Sequence, residues 1–159
     1  MSKINPVASN PDFRANVGIM LINQYRQVLA GESIYYPDEW MMPQGGIDEN
    51  ETPQKAMQRE LLEETGIEFS STRLVTEHQD WLSYLFRAPL VKDGDLYIGQ
   101  RQKWFLLEYQ GPAPDASKTP DQEFRQLAWV EPQWLIRHTV PYKVNLYNTV
   151  FSSFEPFFP

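Results

Sequence analysis

The 159 residues carry 21 acidic and 14 basic side chains, a formal net charge of −7, and no cysteine. That length suits one domain with a real core. The lack of cysteine excludes disulfides and thiolate metal sites, no apolar run is long enough to span a membrane, and the opening MSKINPVASNPDFRANVG has no apolar signal-peptide core. The expectation is a single domain over residues 1–159, with 1–12 a flexible segment. It is expected in the cytoplasm, off the membrane and without an obligate protein partner.

In chain order, residues 16–22 form an apolar run suited to a buried strand. Residues 27–30 pair with it after a turn at Asn23-Gln24-Tyr25-Arg26. Pro43-Gln44-Gly45-Gly46 reads as a tight loop whose glycines let backbone approach a ligand. A helix follows, with Thr52 as N-cap, Pro53 in the first turn and Gly66 as a left-handed stop. Leu61 and Leu62 are expected toward the core, with Ile67 touching Leu62 at the stop. Strands are predicted over residues 74–78, 81–86, 103–109 and 127–130, with a loop over 111–120. Pro132 opens a short helix. A last helix is expected from about Thr139, with Val140, Val144, Tyr147, Phe151 and Phe154 on a core stripe. His78 and His138 stand apart, without ligand partners at helical spacing, and read as structural.

The chemistry concentrates in residues 45–67, GGIDENETPQKAMQRELLEETGI. This segment has six acids and two bases, so it holds −4 of the net charge. On a helix Glu60, Glu63 and Glu64 share one face, where like charges repel. A hard cation relieves that repulsion, because magnesium takes oxygen ligands and brings phosphates to them.

Gly45, Glu51, Arg59-Glu60-Leu61, Glu63-Glu64 and Gly66-Ile67 fill every defined position of a known motif. The segment resembles the Nudix box. The resemblance extends through FRANVGIMLIN, EWMMPQGGID, WLSY, IGQRQKWFLL, LAWV and VPYKVNLY, which look like bacterial RNA pyrophosphohydrolases, also known as dinucleoside polyphosphate hydrolases. It implies an α/β/α sandwich with a mixed central sheet. It implies Mg²⁺, with Mn²⁺ as the alternative, on Glu60, Glu63, Glu64 and the Gly45 carbonyl. Arg59 would hold these ligands in register, and Glu51, Gly46 and Gly66 would support the loop and helix. Glu123 would add a ligand or a base. A carboxylate on two cations is a poor base, so Glu64 or Glu123 is the candidate for deprotonating water.

The implied substrate contacts are Arg14, Tyr84, Tyr142 and Lys143. Each has two readings at this point. The tyrosines either stack on a base or simply pack, and the cations either grip phosphate or sit solvated. Two departures from the family pattern stand out. Asp121-Gln122 precedes Glu123, and Glu32-Ser33 stands where relatives carry a basic pair, which weakens attraction to a polyanion. The implied activity is hydrolysis of a phosphoanhydride, releasing pyrophosphate from 5′-triphosphorylated RNA. A dinucleoside polyphosphate or a nucleoside triphosphate is the alternative substrate. The intact acids argue against a binding module that has lost turnover, and their clustering argues against a purely structural domain.

Overall fold

A computed structural model describes residues 3–4 and 12–158. The expected flexible segment lies outside the described residues over 1–2 and 5–11. Lys3–Ile4 departs from that expectation by pairing as a short strand. The strands are β1 (Lys3–Ile4), β2 (Phe13–Ile22), β3 (Val28–Ser33), β4 (Trp40–Met41), β5 (Gln44–Gly46), β6 (Arg73–Glu77), β7 (Trp81–Lys92), β8 (Asp95–Glu108) and β9 (Phe124–Val130). The helices are α1 (Pro53–Thr65), α2 (Pro132–His138) and α3 (Val144–Phe154).

Among the described residues the nine strands form one mixed sheet, ordered β1-β7-β8-β2-β3-β4. The β2·β8 pair is parallel from Phe13↔Gly99 to Ile22↔Glu108, and the other pairs are antiparallel. β2 touches β3 in register only at Ile22↔Val28. Further back along β2, β5 pairs with Asn16, Val17 and Gly18 instead.

The period of two along β2 creates the layers. Val17, Ile19 and Leu21 face α1, where they pack with Met57, Leu61, Phe105 and Leu107. Met20 and Ile22 face the other way, onto Trp104, Leu106, Tyr147 and Val150. Helices therefore cover both faces, and the expected α/β/α sandwich is present.

Four expectations need correction. Of the expected tight loop Pro43-Gln44-Gly45-Gly46, the last three residues are strand β5, because their backbone pairs with β2. Leu62 is 40% exposed while Leu61 is fully buried. Met57 and Leu61, four residues apart, form the buried stripe, and Leu62 sits a further ~100° round the helix, past its edge. The last helix begins at Val144, after a separate 3₁₀ turn at Pro141–Lys143, although Val140 still packs inside. β7 and β8 also run well past residues 86 and 103, into a hairpin closed by Asp93 and Gly94, both at positive φ. An Asp-Gly pair between apolar runs is a hairpin signal available in the sequence.

Candidate active site

Helix α1 begins where Thr52 Oγ1 accepts from the Lys55 amide at 3.2 Å, and it ends where Gly66 adopts φ +75° and donates to Leu62 O. Between those ends Arg59 is the organising cation. Its Nε and Nη2 donate to the two Glu51 oxygens at 2.8 and 2.9 Å. Its Nη1 donates to Glu60 at 2.7 Å and Glu63 at 3.0 Å, and its Nη2 also reaches Gly46 O at 2.8 Å. One guanidinium thus ties the helix, strand β5 and the loop acid Glu51 together. Those carboxylates hold the Arg59 pKa well above its ordinary value, with the Glu51 bonds the largest cause.

Glycine at position 45 is required by space. A Cβ there would lie 1.9 Å from the Glu60 carboxyl carbon. Strand β5 therefore rests directly on the acidic face of α1. The Gln44 amide donates to Glu64 Oε1 at 3.0 Å.

Burial raises the Glu60 pKa to about 7, which outweighs the Arg59 contacts. Glu64 is pushed well above the ordinary carboxylate range, first by burial and then by the charges of Glu60 and Glu123. Glu51 goes the other way, held low by Arg59. The acidic face of α1 thus holds one carboxyl, Glu64, that Arg59 does not pair with.

The donor set here suits a divalent cation. Among the described residues, no three acidic side chains already converge on one point. Glu60 and Glu63 turn Oε1 to Arg59, and Glu64 turns Oε1 to the loop. Each keeps Oε2 without a hydrogen bond among the described residues. These hard oxygens fit a hard cation.

The cleft beside α1 encloses about 390 Å³ and is lined by Gly45, Glu60, Glu64, Glu123, Arg14 and Tyr142 among others. The Asp121-Gln122 insertion does not displace Glu123. The Asp121 amide donates to Glu63 O at 2.9 Å, and Thr119 Oγ1 donates to Asp121 O at 2.6 Å, which docks this loop against α1.

The four expected substrate contacts separate. Arg14 lines the cleft above Gly46. Lys143 is only 3% exposed, which removes the solvated-charge reading. Its Nζ donates to Gln44 Oε1 at 2.8 Å and lies 5.6 Å from the Tyr84 ring centre. Burial lowers its pKa to about 8. Tyr84 is also buried, with its hydroxyl donating to Gln100 Oε1 at 2.6 Å. It supports Tyr142, which stacks on it at 5.8 Å and is itself 38% exposed. Tyr142 is therefore the accessible ring of the pair.

Sequence reasoning missed the floor of the cleft, which is a network of neutral amides. Trp104 Nε1 can only donate, and it donates to Gln102 Oε1 at 3.1 Å. This fixes the Gln102 amide, whose Nε2 reaches Asn16 Oδ1 at 2.8 Å and Gln44 Oε1 at 3.1 Å. Asn16 Nδ2 is then the end of the chain, buried at the cleft floor and without a partner among the described residues. The signal was the alternation of Gln100 and Gln102 in GQRQKWF, which puts both on one face of β8.

Glu32-Ser33 has a structural use. Glu32 accepts from the Asp38 amide at 2.7 Å and from Gln126 Nε2 at 2.9 Å. Ser33 Oγ accepts from the amides of Tyr35 and Tyr36, both at 3.1 Å. The pair shapes the loop that brings Tyr35, Tyr36 and Glu39 to the cleft rim. The two histidines are structural, as expected. His138 stacks on Trp134 at 3.8 Å, and His78 accepts from the Asp80 amide and packs edge-on to Phe154.

The model of the NUDIX domain matches residues 12–149. An RNA pyrophosphohydrolase of Cereibacter sphaeroides is 40% identical over 148 residues, covering 91% of each chain. Nudix hydrolase 27, chloroplastic, of Arabidopsis thaliana is 38% identical over 156 residues, covering 92% of this chain and 67% of that protein. Among solved structures, a C. elegans Ap4A hydrolase binary complex superposes with a TM-score of 0.65 at 17% identity, covering 91% of this chain and 99% of that one.

Proposed function

The chain belongs to the Nudix family as a pyrophosphohydrolase, and on that premise we propose that it releases pyrophosphate from the 5′ end of short triphosphorylated RNA. The observation that carries the reading is one cleft in which the α1 carboxylates face Arg14 and the exposed ring of Tyr142. The RNA assignment is supported by the similarity to RNA pyrophosphohydrolases along most of the chain.

In this reading Glu60, Glu63, Glu64 and the Gly45 carbonyl hold Mg²⁺, or Mn²⁺ in its place. When bound, the cation neutralises phosphate charge and lowers the pKa of water. Arg59 keeps the carboxylates in register. Arg14 contacts the phosphates, and Lys143 holds Gln44 against Glu64 while lending positive charge from behind the floor. Asn16 Nδ2 offers the floor a donor for an oxygen. Tyr142 stacks on the first base. Glu123, which is free of Arg59, accepts the proton of the attacking water, with Glu64 the alternative base. The proposed place of action is the cytoplasm, where nucleotides and RNA 5′ ends are available.

A second reading is favoured by the rim. Glu39 lines it and Glu32-Ser33 stands where a basic pair would, so Arg14 and Lys92 are the cations lining the cleft, which suits a substrate with few phosphates outside it. A dinucleoside polyphosphate meets that description. The deciding experiment measures kcat/KM on triphosphorylated RNAs of several lengths, diadenosine tetraphosphate and nucleoside triphosphates, with the products identified. The RNA reading expects triphosphorylated RNA to lead, with a shallow salt dependence because few phosphates are neutralised. Much more efficient cleavage of diadenosine tetraphosphate than of every RNA would replace it with the second reading.

A further inference from the structure

The β7–β8 hairpin is built differently from the rest of the sheet. From Leu85 to Ile98 no residue is buried, although the backbone pairing continues through Leu90↔Tyr97, Val91↔Leu96 and Lys92↔Asp95. Core packing therefore does not account for its length. The register slips between Leu85 and Leu90, where five residue steps on β7 face only two on β8, from Gly99 to Tyr97. Extra residues in one strand bend the pair and re-aim its side chains.

The bend carries the hairpin to the mouth of the catalytic cleft. Phe86, Arg87 and Leu90 face the rim residues Tyr36 and Glu39 across a groove of about 440 Å³. Arg87 stays there, 5.9 Å from the ring centre of Tyr142. At the tip, Lys92 lines the cleft itself. Its neighbours at the turn, Asp93 and Asp95, do not, so the tip presents a positive charge to the cleft. Lys92 is exposed and pairs with no carboxylate among the described residues. The other cation lining the cleft, Arg14, is packed above Gly46. An ammonium on a flexible stem and an exposed tip can meet an anion without giving up a fixed partner.

We propose that Lys92 is a further substrate-binding residue, gripping phosphate oxygens from the mouth of the cleft while the α1 carboxylates act from its inner wall. This rests on the reading of the cleft as a phosphoanhydride-hydrolysing site. The shared chemistry is a polyphosphate chain, supplied either by an RNA 5′ end or by a dinucleoside polyphosphate.

The test is Lys92→Ala, which keeps the backbone pairing of the tip and removes no buried contact. It should lose about 5-fold in kcat/KM, mostly through KM, the upper scale for a solvent-exposed ion contact. The slope of log kcat/KM against log salt should become shallower by about one, because one fewer phosphate is neutralised. A purely structural role for the tip would leave that slope alone. Lys92→Arg should restore both quantities. Lys118→Ala removes the same charge from a side chain that is 81% exposed and lines no part of the cleft, and it should change neither. Triphosphorylated RNA and diadenosine tetraphosphate are assayed side by side, and the substrate that loses efficiency identifies the source of the chain. No loss on either, an unchanged salt slope, or an equal effect of Lys118→Ala overturns the assignment.

Binding of an ATP analogue with carbon in place of both bridging oxygens of the triphosphate separates this inference from the hydrolytic reading. Calorimetry in magnesium should show Lys92→Ala binding it about 5-fold more weakly than the wild type, and Lys92→Arg binding it normally. Equal binding by wild type and Lys92→Ala, or no binding by the wild type, overturns the proposal. Binding that depends on Lys92 in a protein inactive on every substrate leaves the grip standing and removes the proposed function instead.

Discussion

The two walls of the cleft are built by different means. The α1 wall is local, because Arg59, Glu60, Glu63 and Glu64 lie within six residues and helical geometry alone puts them on one side. The opposite wall is assembled from Asn16, Gln44, Gln100, Gln102 and Lys143, which sequence separates by up to 127 residues and strand register brings together. The first wall is charged and held by one guanidinium. The second is mostly neutral and held by a directional chain of amides that starts at Trp104 Nε1. Charge assembles chemistry and tolerates motion, whereas amides fix positions and tolerate little.

The largest expected effect breaks the charged wall. Glu64→Gln preserves size and the bond from the Gln44 amide while removing a ligand charge. Turnover should fall by at least about 100-fold, the scale for losing a charge-stabilising group. The far-UV circular dichroism should not change. Glu60→Gln should match it, and the double variant should lose little more, because the groups act as a unit. Turnover near the wild-type value at saturating magnesium would show that neither is a ligand.

The next prediction breaks the neutral wall. Gln102→Leu keeps approximate volume but strands Trp104 Nε1 and removes the donor shared by Asn16 and Gln44. Each orphaned buried group costs about 1–3 kcal/mol. The expected loss is roughly 3 kcal/mol in urea unfolding, accompanied by weaker turnover through the displaced Gln44. Unchanged stability would mean that these amides relax independently, and the contrast between the walls would disappear.

A pH series sharpens the comparison, because the charged wall titrates between about pH 4.5 and 7, below the lowered pKa of about 8 at Lys143 in the other wall. Burial raises Glu60 to about 7 and moves Glu64 in the same direction. A carboxyl with a raised pKa favours the folded state when protonated. Its contribution is fully present below about pH 4.5, its unfolded value, and is lost as pH rises through about 7. In the metal-free protein, thermal stability should decline across that window by on the order of 3 kcal/mol, since each unit between folded and unfolded pKa is worth about 1.36 kcal/mol. Magnesium should restore it at the alkaline end by favouring the ionised form. A flat profile in chelator between these limits would contradict the burial argument.

How far the sequence could be read follows the same division. The α1 wall was legible because its spacing, N-cap and stop are local signals, and Arg59 binds the acids that lie beside it. Gly45 was legible as a close approach, and the structure identifies Glu60 as the group it approaches. The amide floor was not legible, since no local pattern says that Gln102 will face Asn16 across a parallel ladder. Lys143 was placed at the site by resemblance alone, and only packing shows that it is buried behind Gln44. Glu32-Ser33 looked like a lost cation and proves to be the brace of the rim loop, through backbone amides that sequence cannot locate.

The smallest predicted effect concerns where the charged wall ends. Gly66 has φ +75°, and its amide closes the helix on Leu62 O at 2.9 Å. A Cβ there would meet nothing within 4 Å. The cost of Gly66→Ala is therefore conformational, with no steric clash, and should be roughly 1 kcal/mol. Gly66 supplies no ligand, and Glu64 precedes it by two residues on a helix already held by Arg59 and the loop. Turnover at a temperature well below unfolding should then stay close to the wild-type value while the denaturation midpoint falls. A proportionate loss of turnover would show that the helix stop positions Glu64. The charged wall would then depend on fixed geometry as much as the amide wall does.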